Sequence, residues 1–142
     1  MKTALDTNIL SSLWLNEPTG PEIVTAMRAA KQDGMLLVSA PVYSETLAHP
    51  FYAEDEVLRF YAKSGIVIDF SLAEAVWTEA GRRYAKHAAR KRAPSQERPR
   101  RILADFVIGA HALLQSNRLM TRDSAFFRRH FPELPLYSIG EE

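Results

Sequence analysis

The chain has 142 residues, 46% of them hydrophobic and 25% charged, with a formal net charge of +1. That is an ordinary globular composition, and the length suits one domain, 1–142, with a real core. The absence of cysteine excludes a disulfide framework, a thiolate nucleophile and a cysteine-bound zinc and fits a reducing cytoplasm; no signal peptide fits ahead of Asp6, and no apolar run approaches the roughly 20 residues of a membrane helix.

Residues 2–5 read as a short strand that delivers Asp6, and 8–15 as a helix carrying Ile9, Leu10, Leu13 and Trp14. Pro18 and Gly20 break the chain. Pro21 suits the first turn of a second helix, with Ile23, Val24, Met27 and Ala30 at helical spacing and a stop at Asp33-Gly34. The apolar run 35–39 predicts a buried parallel strand. Pro41 opens a helix containing Glu45, and Pro50 ends it. Residues 54–63 read as a helix with Val57, Leu58 and Tyr61 inward, and 66–68 as a third strand after Gly65. Ser71-Leu72-Ala73-Glu74 has the pattern of a capping box and predicts the start of a long helix running towards Arg92. A loop follows at 94–99. Residues 101–115 predict a helix that is apolar nearly all round, hence buried. Gly109 and Ala112 share the side of Asp105 on it and predict a close approach to the sheet. Residues 119–121 read as a fourth strand, 124–131 as a last helix anchored by Phe126, Phe127 and Phe131, and 136–138 as an edge strand.

Strands alternating with helices predict an α/β domain with a mostly parallel sheet of about five strands and helices on both faces. Sites in such sheets lie beyond the carboxyl ends of the strands. Asp6, Glu45, Asp105 and Asp123 all fall at that rim. Asp6 and Asp123 also read as helix N-caps, and Glu45 as a surface glutamate. Asp105 lies in the apolar helix, where a carboxylate must be paired, protonated or metal-bound. Gathered carboxylates repel one another unless their pKa values rise or a cation neutralises them. All-oxygen donors favour Mg2+ or Mn2+, as one ion or two. Such ions suit hydrolysis of a phosphate ester.

Charge is unevenly spread. Arg82, Arg83, Lys86, Arg90, Lys91, Arg92, Arg98, Arg100 and Arg101 lie in one stretch, opposed within it only by Glu97. It reads either as a solvated helix face and loop or as the footprint of a polyanion. His49, His87, His111 and His130 lack the spacing of zinc ligands. His111 reads as a hydrogen-bonded core or interface residue, Trp14 and Trp77 as core or dimer contacts, and Asp69 as loop.

Leu5-Asp6-Thr7-Asn8, then Glu45, then Asp105-Phe106-Val107-Ile108-Gly109-Ala110, then Thr121-Arg122-Asp123-Ser124-Ala125-Phe126 resemble the four acidic motifs of the PIN-domain nucleases. The short length and the late Thr-x-Asp-x-x-Phe pattern are most similar to VapC-type toxins of toxin–antitoxin pairs. The resemblance implies a three-layer α/β/α sandwich and Mg2+- or Mn2+-dependent cleavage of RNA. It also implies a cognate antitoxin that blocks the site, and a homodimer. By it, Asp6, Glu45, Asp105 and Asp123 are the metal-site acids, and Asn8 and Thr121 position an acid or a water. The basic stretch matches no family motif, so Arg82, Arg83, Lys86, Arg90, Lys91, Arg92, Arg100 and Arg101 are RNA contacts on charge alone. Other readings of the same fold are an RNA-processing nuclease that is no toxin, and a module that binds RNA or protein without cutting. A haloacid-dehalogenase-like enzyme would need an aspartate where Asn8 stands and a late lysine. A response-regulator receiver would need adjacent acids after the first strand and a lysine after the fifth.

Overall fold

The computed structural model describes residues 1–50, 52–90 and 103–140. In chain order the elements are β1 (Lys2–Leu5), α1 (Thr7–Trp14), α2 (Gly20–Gln32), β2 (Met35–Ser39), α3 (Ala40–Leu47), α4 (Glu54–Ser64), β3 (Val67–Asp69), α5 (Glu74–Arg90), α6 (Leu103–Gln115), β4 (Arg118–Thr121), α7 (Ser124–His130) and β5 (Leu136–Ser138). Lys91, Arg92, Arg100, Arg101 and the expected loop 94–99 lie outside the described residues.

The strands form one sheet in the order β3-β2-β1-β4-β5, with every neighbouring pair parallel. The three central strands are buried along nearly their whole length, which is why their sequences are short apolar runs rather than alternating ones. From β1 the chain moves outward through β2 to β3, then returns across β1 to β4 and continues to β5. Right-handed crossovers in opposite directions place α1–α4 on one face and α5–α7 on the other, giving the three layers. The reversal opens a crevice between the carboxyl ends of β1 and β4, the usual place for a site in such a sheet.

α5 and α6 form an antiparallel pair. The backbone N–H of Ala73, just ahead of α5, donates to Oε1 of Gln115 at the end of α6 (2.9 Å). At the other end, the rings of Tyr84 and His87 meet that of Phe106, both with centroids 5.4 Å apart. The last turns of α5 therefore lie beside Asp105 in the first turn of α6.

Several local expectations give way to tertiary partners. Ser71 does not cap α5, which begins at Glu74; the Ser71 N–H donates to Asp69 (3.1 Å) and its carbonyl accepts from Gln115 (2.9 Å). β3 is displaced by one residue, so Asp69 ends a strand instead of lying in a loop. Leu58 points outward, and Phe60 packs edge-on against Trp14 instead, at 5.2 Å. Trp77 is 50% exposed on α5, whose buried side is made by Val76 and Ala80 one turn apart. Phe126 and Phe127 of α7, and Phe131 just after it, are buried as expected.

Gly109 lies against Phe131: a Cβ there would lie 2.4 Å from the ring, which is itself fully buried. Gly109→Ala should therefore lower stability by about 1–2 kcal/mol, overpacking outweighing the helix propensity that alanine gains. Urea unfolding checks this, and an unchanged or raised midpoint would contradict it.

Candidate active site at the carboxyl ends of the strands

Paired residues in parallel strands project to the same face, and Ala4 is opposite both Leu37 and Leu119, while Ser39 is opposite Asp69. Two residues on from Ala4, Leu37 and Leu119 stand Asp6, Ser39 and Thr121, and with Asp69 opposite Ser39 they form a row along the rim on one face. That face is covered by α6: His111 of α6 contacts Asp69, with Nε2 3.0 Å from Oδ2. The Asp6 N–H donates to Met120 O (3.0 Å), carrying the β1–β4 ladder to the rim itself.

Asp6 is 7% exposed. Its Oδ1 accepts the Thr7 N–H, capping α1, and its Oδ2 accepts the Thr121 hydroxyl, both at 2.8 Å. Helix cap and rim acid are thus the same residue. Burial above all, with the negative charges of Asp105 and Glu45 adding to it and the Thr121 and Thr7 bonds opposing it, pushes its pKa up to about 7. The structure therefore brings Asp6, Glu45 and Asp105 into one electrostatic neighbourhood. Glu45 is steered there by Thr7, whose hydroxyl donates to Oε1 at 2.5 Å.

Thr121 ties two acids together. While its hydroxyl donates to Asp6, its Oγ1 accepts the Asp123 N–H (2.9 Å). Asp123 reaches the Phe126 N–H at 3.4 Å and caps α7, so it too combines a cap with a place at the rim. Asn8 accepts the Arg122 N–H (3.1 Å), fastening the first turn of α1 to the turn after β4.

Four side chains escape sequence reasoning. Thr7 looks like a helix starter, yet it holds Glu45. Arg122 stands in the sequence only as the residue between Thr121 and Asp123. It is 8% exposed, and its guanidinium bonds Ser12 Oγ (2.6 Å), Glu17 (2.8 Å) and Gly140 O (2.7 Å), bracing the turn from behind. Asp69 also accepts from Gln115 (2.9 Å). Burial disfavours its ionised form, but the bonds from His111, Ser71 and Gln115 outweigh that and hold its carboxyl below the usual range. Ser39, between Asp6 and Asp69 in the row, has a buried hydroxyl with no hydrogen-bond partner among the described residues. The available signal was position alone: each follows or ends a strand.

Arg83, expected as an RNA contact, is committed to carboxylates. It bonds Glu79 (2.8 Å), Glu133 (2.6 Å) and the His130 carbonyl (2.7 Å), and its guanidinium lies over the Phe131 ring. Arg82 is an exposed partner of Glu79 at 3.6 Å. Lys86 and Arg90 are exposed on α5.

The acids at the rim offer oxygen donors, which suit a hard divalent cation. Among the described residues no three His, Cys, Asp or Glu side chains are already set as a metal cage. Both oxygens of Asp6 are taken by threonine bonds. The acids share a field that a cation would relieve, and that charge, rather than a finished coordination shell, is what fits Mg2+ or Mn2+.

The PIN domain family matches residues 3–131. Among solved structures, the chain resembles VapBC2 from Rickettsia felis bound to a DNA fragment from their promoter (TM-score 0.68, 15% identity, 98% of this chain and 99% of that chain). It also resembles VapBC-1 from nontypeable Haemophilus influenzae (TM-score 0.65, 20% identity, 97% and 98% covered). A third likeness is to a toxin–antitoxin complex from Klebsiella pneumoniae (TM-score 0.63, 17% identity, 99% of each chain). Among curated proteins, none matches the sequence.

Because the folded Asp6 holds its proton up to about pH 7 and an unfolded aspartate releases it near 3.8, the native state binds more protons between those values. Its contribution to stability therefore falls as pH rises from about 4 to about 7 and is level above. In chelator, Asp6→Asn, which keeps the cap, should match wild type near pH 4 and exceed it by roughly 2–4 kcal/mol at pH 8. Urea titrations at several pH values measure the difference; a variant no more stable at pH 8 would contradict the burial of a charged Asp6.

Proposed function

Because the chain belongs to the PIN-domain family, whose members are nucleases, we propose that it is an Mg2+- or Mn2+-dependent endoribonuclease and the toxin of a toxin–antitoxin pair. The observation that carries the reading is the buried Asp6 facing two like charges in the crevice where the chain's topology reverses. The toxin assignment is supported by the likeness, over nearly the whole of both chains, to structures that are toxin–antitoxin complexes. A cognate antitoxin is the partner, and a cytoplasmic homodimer the working form. Among the described residues no helix is long and apolar enough to cross a membrane.

In this reading Asp6, Glu45 and Asp105 hold the cation, with Asp123 completing the set from the end of β4. When bound, the ion neutralises the acids and supplies Lewis acidity at the phosphodiester. The protein's own groups do the rest. Thr121 fixes the orientation of Asp6 and the backbone at Asp123; Thr7 fixes Glu45. Asn8 holds the β4–α7 turn against α1, so the rim stays rigid. Asp6 must give up its proton to become a donor, and at its raised pKa it does so near neutrality. Hydrolysis forms a P–O bond from water and breaks the one to the leaving oxygen; a rim carboxylate receives the proton that water loses, and the leaving oxygen takes up a proton in turn.

Purified protein should cleave RNA with Mn2+ or Mg2+ and stop in excess EDTA. Asp6→Asn or Asp105→Asn should lower kcat by at least about a hundredfold, a typical loss for a group acting electrostatically at the reacting centre. Circular dichroism should show the fold intact. Cleavage in EDTA, or near wild-type rates in either variant, would contradict the assignment.

A further inference from the structure

A groove of about 270 Å³ runs between α5 and the end of α7, on the α5–α7 face. Its walls are charged, and its volume falls below the roughly 300–1,000 Å³ of pockets that enclose a whole ligand. Two acids line it, Glu79 and Glu133, and both are paired to Arg83. Arg83 also bonds the His130 carbonyl, which fixes the end of α7 against α5. What remains facing the groove is Lys86 and Arg90 from α5 and Arg129 from α7, with the His130 ring beside them. Among the described residues Lys86, Arg90 and Arg129 make no ion pair within 4.0 Å, and only Lys86 of the three acts on a lining acid, its charge helping Arg83 to hold the Glu133 carboxyl low.

The groove adjoins the acid rim. The ring of His130 lies 5.2 Å from that of Phe106, the residue after Asp105. α7 itself begins immediately after Asp123, and its seven residues span about 10 Å. A strand lying in the groove would thus reach the acids within a few nucleotides. Three cations on two separate helices outweigh the one negative charge that two acids and Arg83 leave on the floor, and their spread matches a chain of repeating negative charges better than a single anion.

We propose that Lys86, Arg90 and Arg129 form a phosphate-binding track that grips the RNA backbone beside the cleaved bond. This rests on the nuclease reading and adds to it a wall, α7, that charge counting in the sequence does not reveal. The track positions substrate and does not touch the reacting bond.

The test uses the full chain in EDTA, with a short, mixed-sequence single-stranded RNA as probe and fluorescence anisotropy as readout. Replacing two phosphate contacts, with Lys86→Gln and Arg129→Gln together, should reduce the slope of log affinity against log salt by about 1.4, or about ten- to thirtyfold in Kd at 0.1 M salt. The charge-preserving pair Lys86→Arg and Arg129→Lys should keep the wild-type slope. With metal, the Gln pair should raise KM and leave kcat within about twofold. Unchanged affinity and slope in the Gln pair would overturn the track, as would a wild type whose RNA binding is insensitive to salt. Loss of antitoxin binding with RNA binding intact would overturn it too, assigning the groove to a protein. Salt-dependent RNA binding that weakens in the Gln pair, without cleavage in Mn2+, would sustain the track and sink the nuclease reading. Cleavage with unchanged RNA binding would do the reverse.

Discussion

The carboxyl group of Asp6 is almost closed off from water, and the charges acting on it, those of Asp105 and Glu45, have the same sign as its own ionised form. Left to itself, such a group keeps its proton to about pH 7, well above an ordinary aspartate. Nothing in packing requires this. A neutral asparagine could cap α1 through the same backbone N–H and accept no electrostatic penalty. The arrangement makes physical sense when a cation belongs among these oxygens, because the same charges that oppose one another would then all be satisfied.

Topology explains how residues so far apart in sequence come to share this field. β1 is central, and the chain visits both of its neighbours from opposite directions. Its carboxyl end therefore lies between α3, which follows β2, and the turn that follows β4. α6 enters from above because it must descend to β4, so its first turn, with Asp105, stands at the same rim. Two threonines convert proximity into fixed orientation: Thr7 links the first motif to Glu45, and Thr121 links Asp6 to the turn at Asp123. The antiparallel run of α5 against α6 brings the basic end of α5 to this side as well.

Much of this was legible in the sequence. Strand-length apolar runs and helix-spaced hydrophobics gave the element order, and acids placed just after strands gave the rim. What stayed hidden depends on partners distant in the chain. Ser71 has a valid capping pattern, but Gln115 from α6 supplies the bonds that start α5. Asp69 looks like loop until His111 closes on it. Arg83 looks like part of a cationic stretch because Glu133, which neutralises it, lies on the far side of α7. Gly109 signalled close packing, and its nearest neighbour is Phe131, just past the end of α7. Local pattern records which residues are near in sequence, and each of these cases turns on a contact made only after the helices pack.

The most direct measurement is calorimetric titration of the metal-free protein with Mn2+, repeated in buffers of different ionisation enthalpy. If the cation takes the place of the proton on Asp6, binding at pH 6 releases about one proton per ion, and the release falls towards zero above pH 8. Binding that releases no proton at pH 6, or no binding at all, would contradict it.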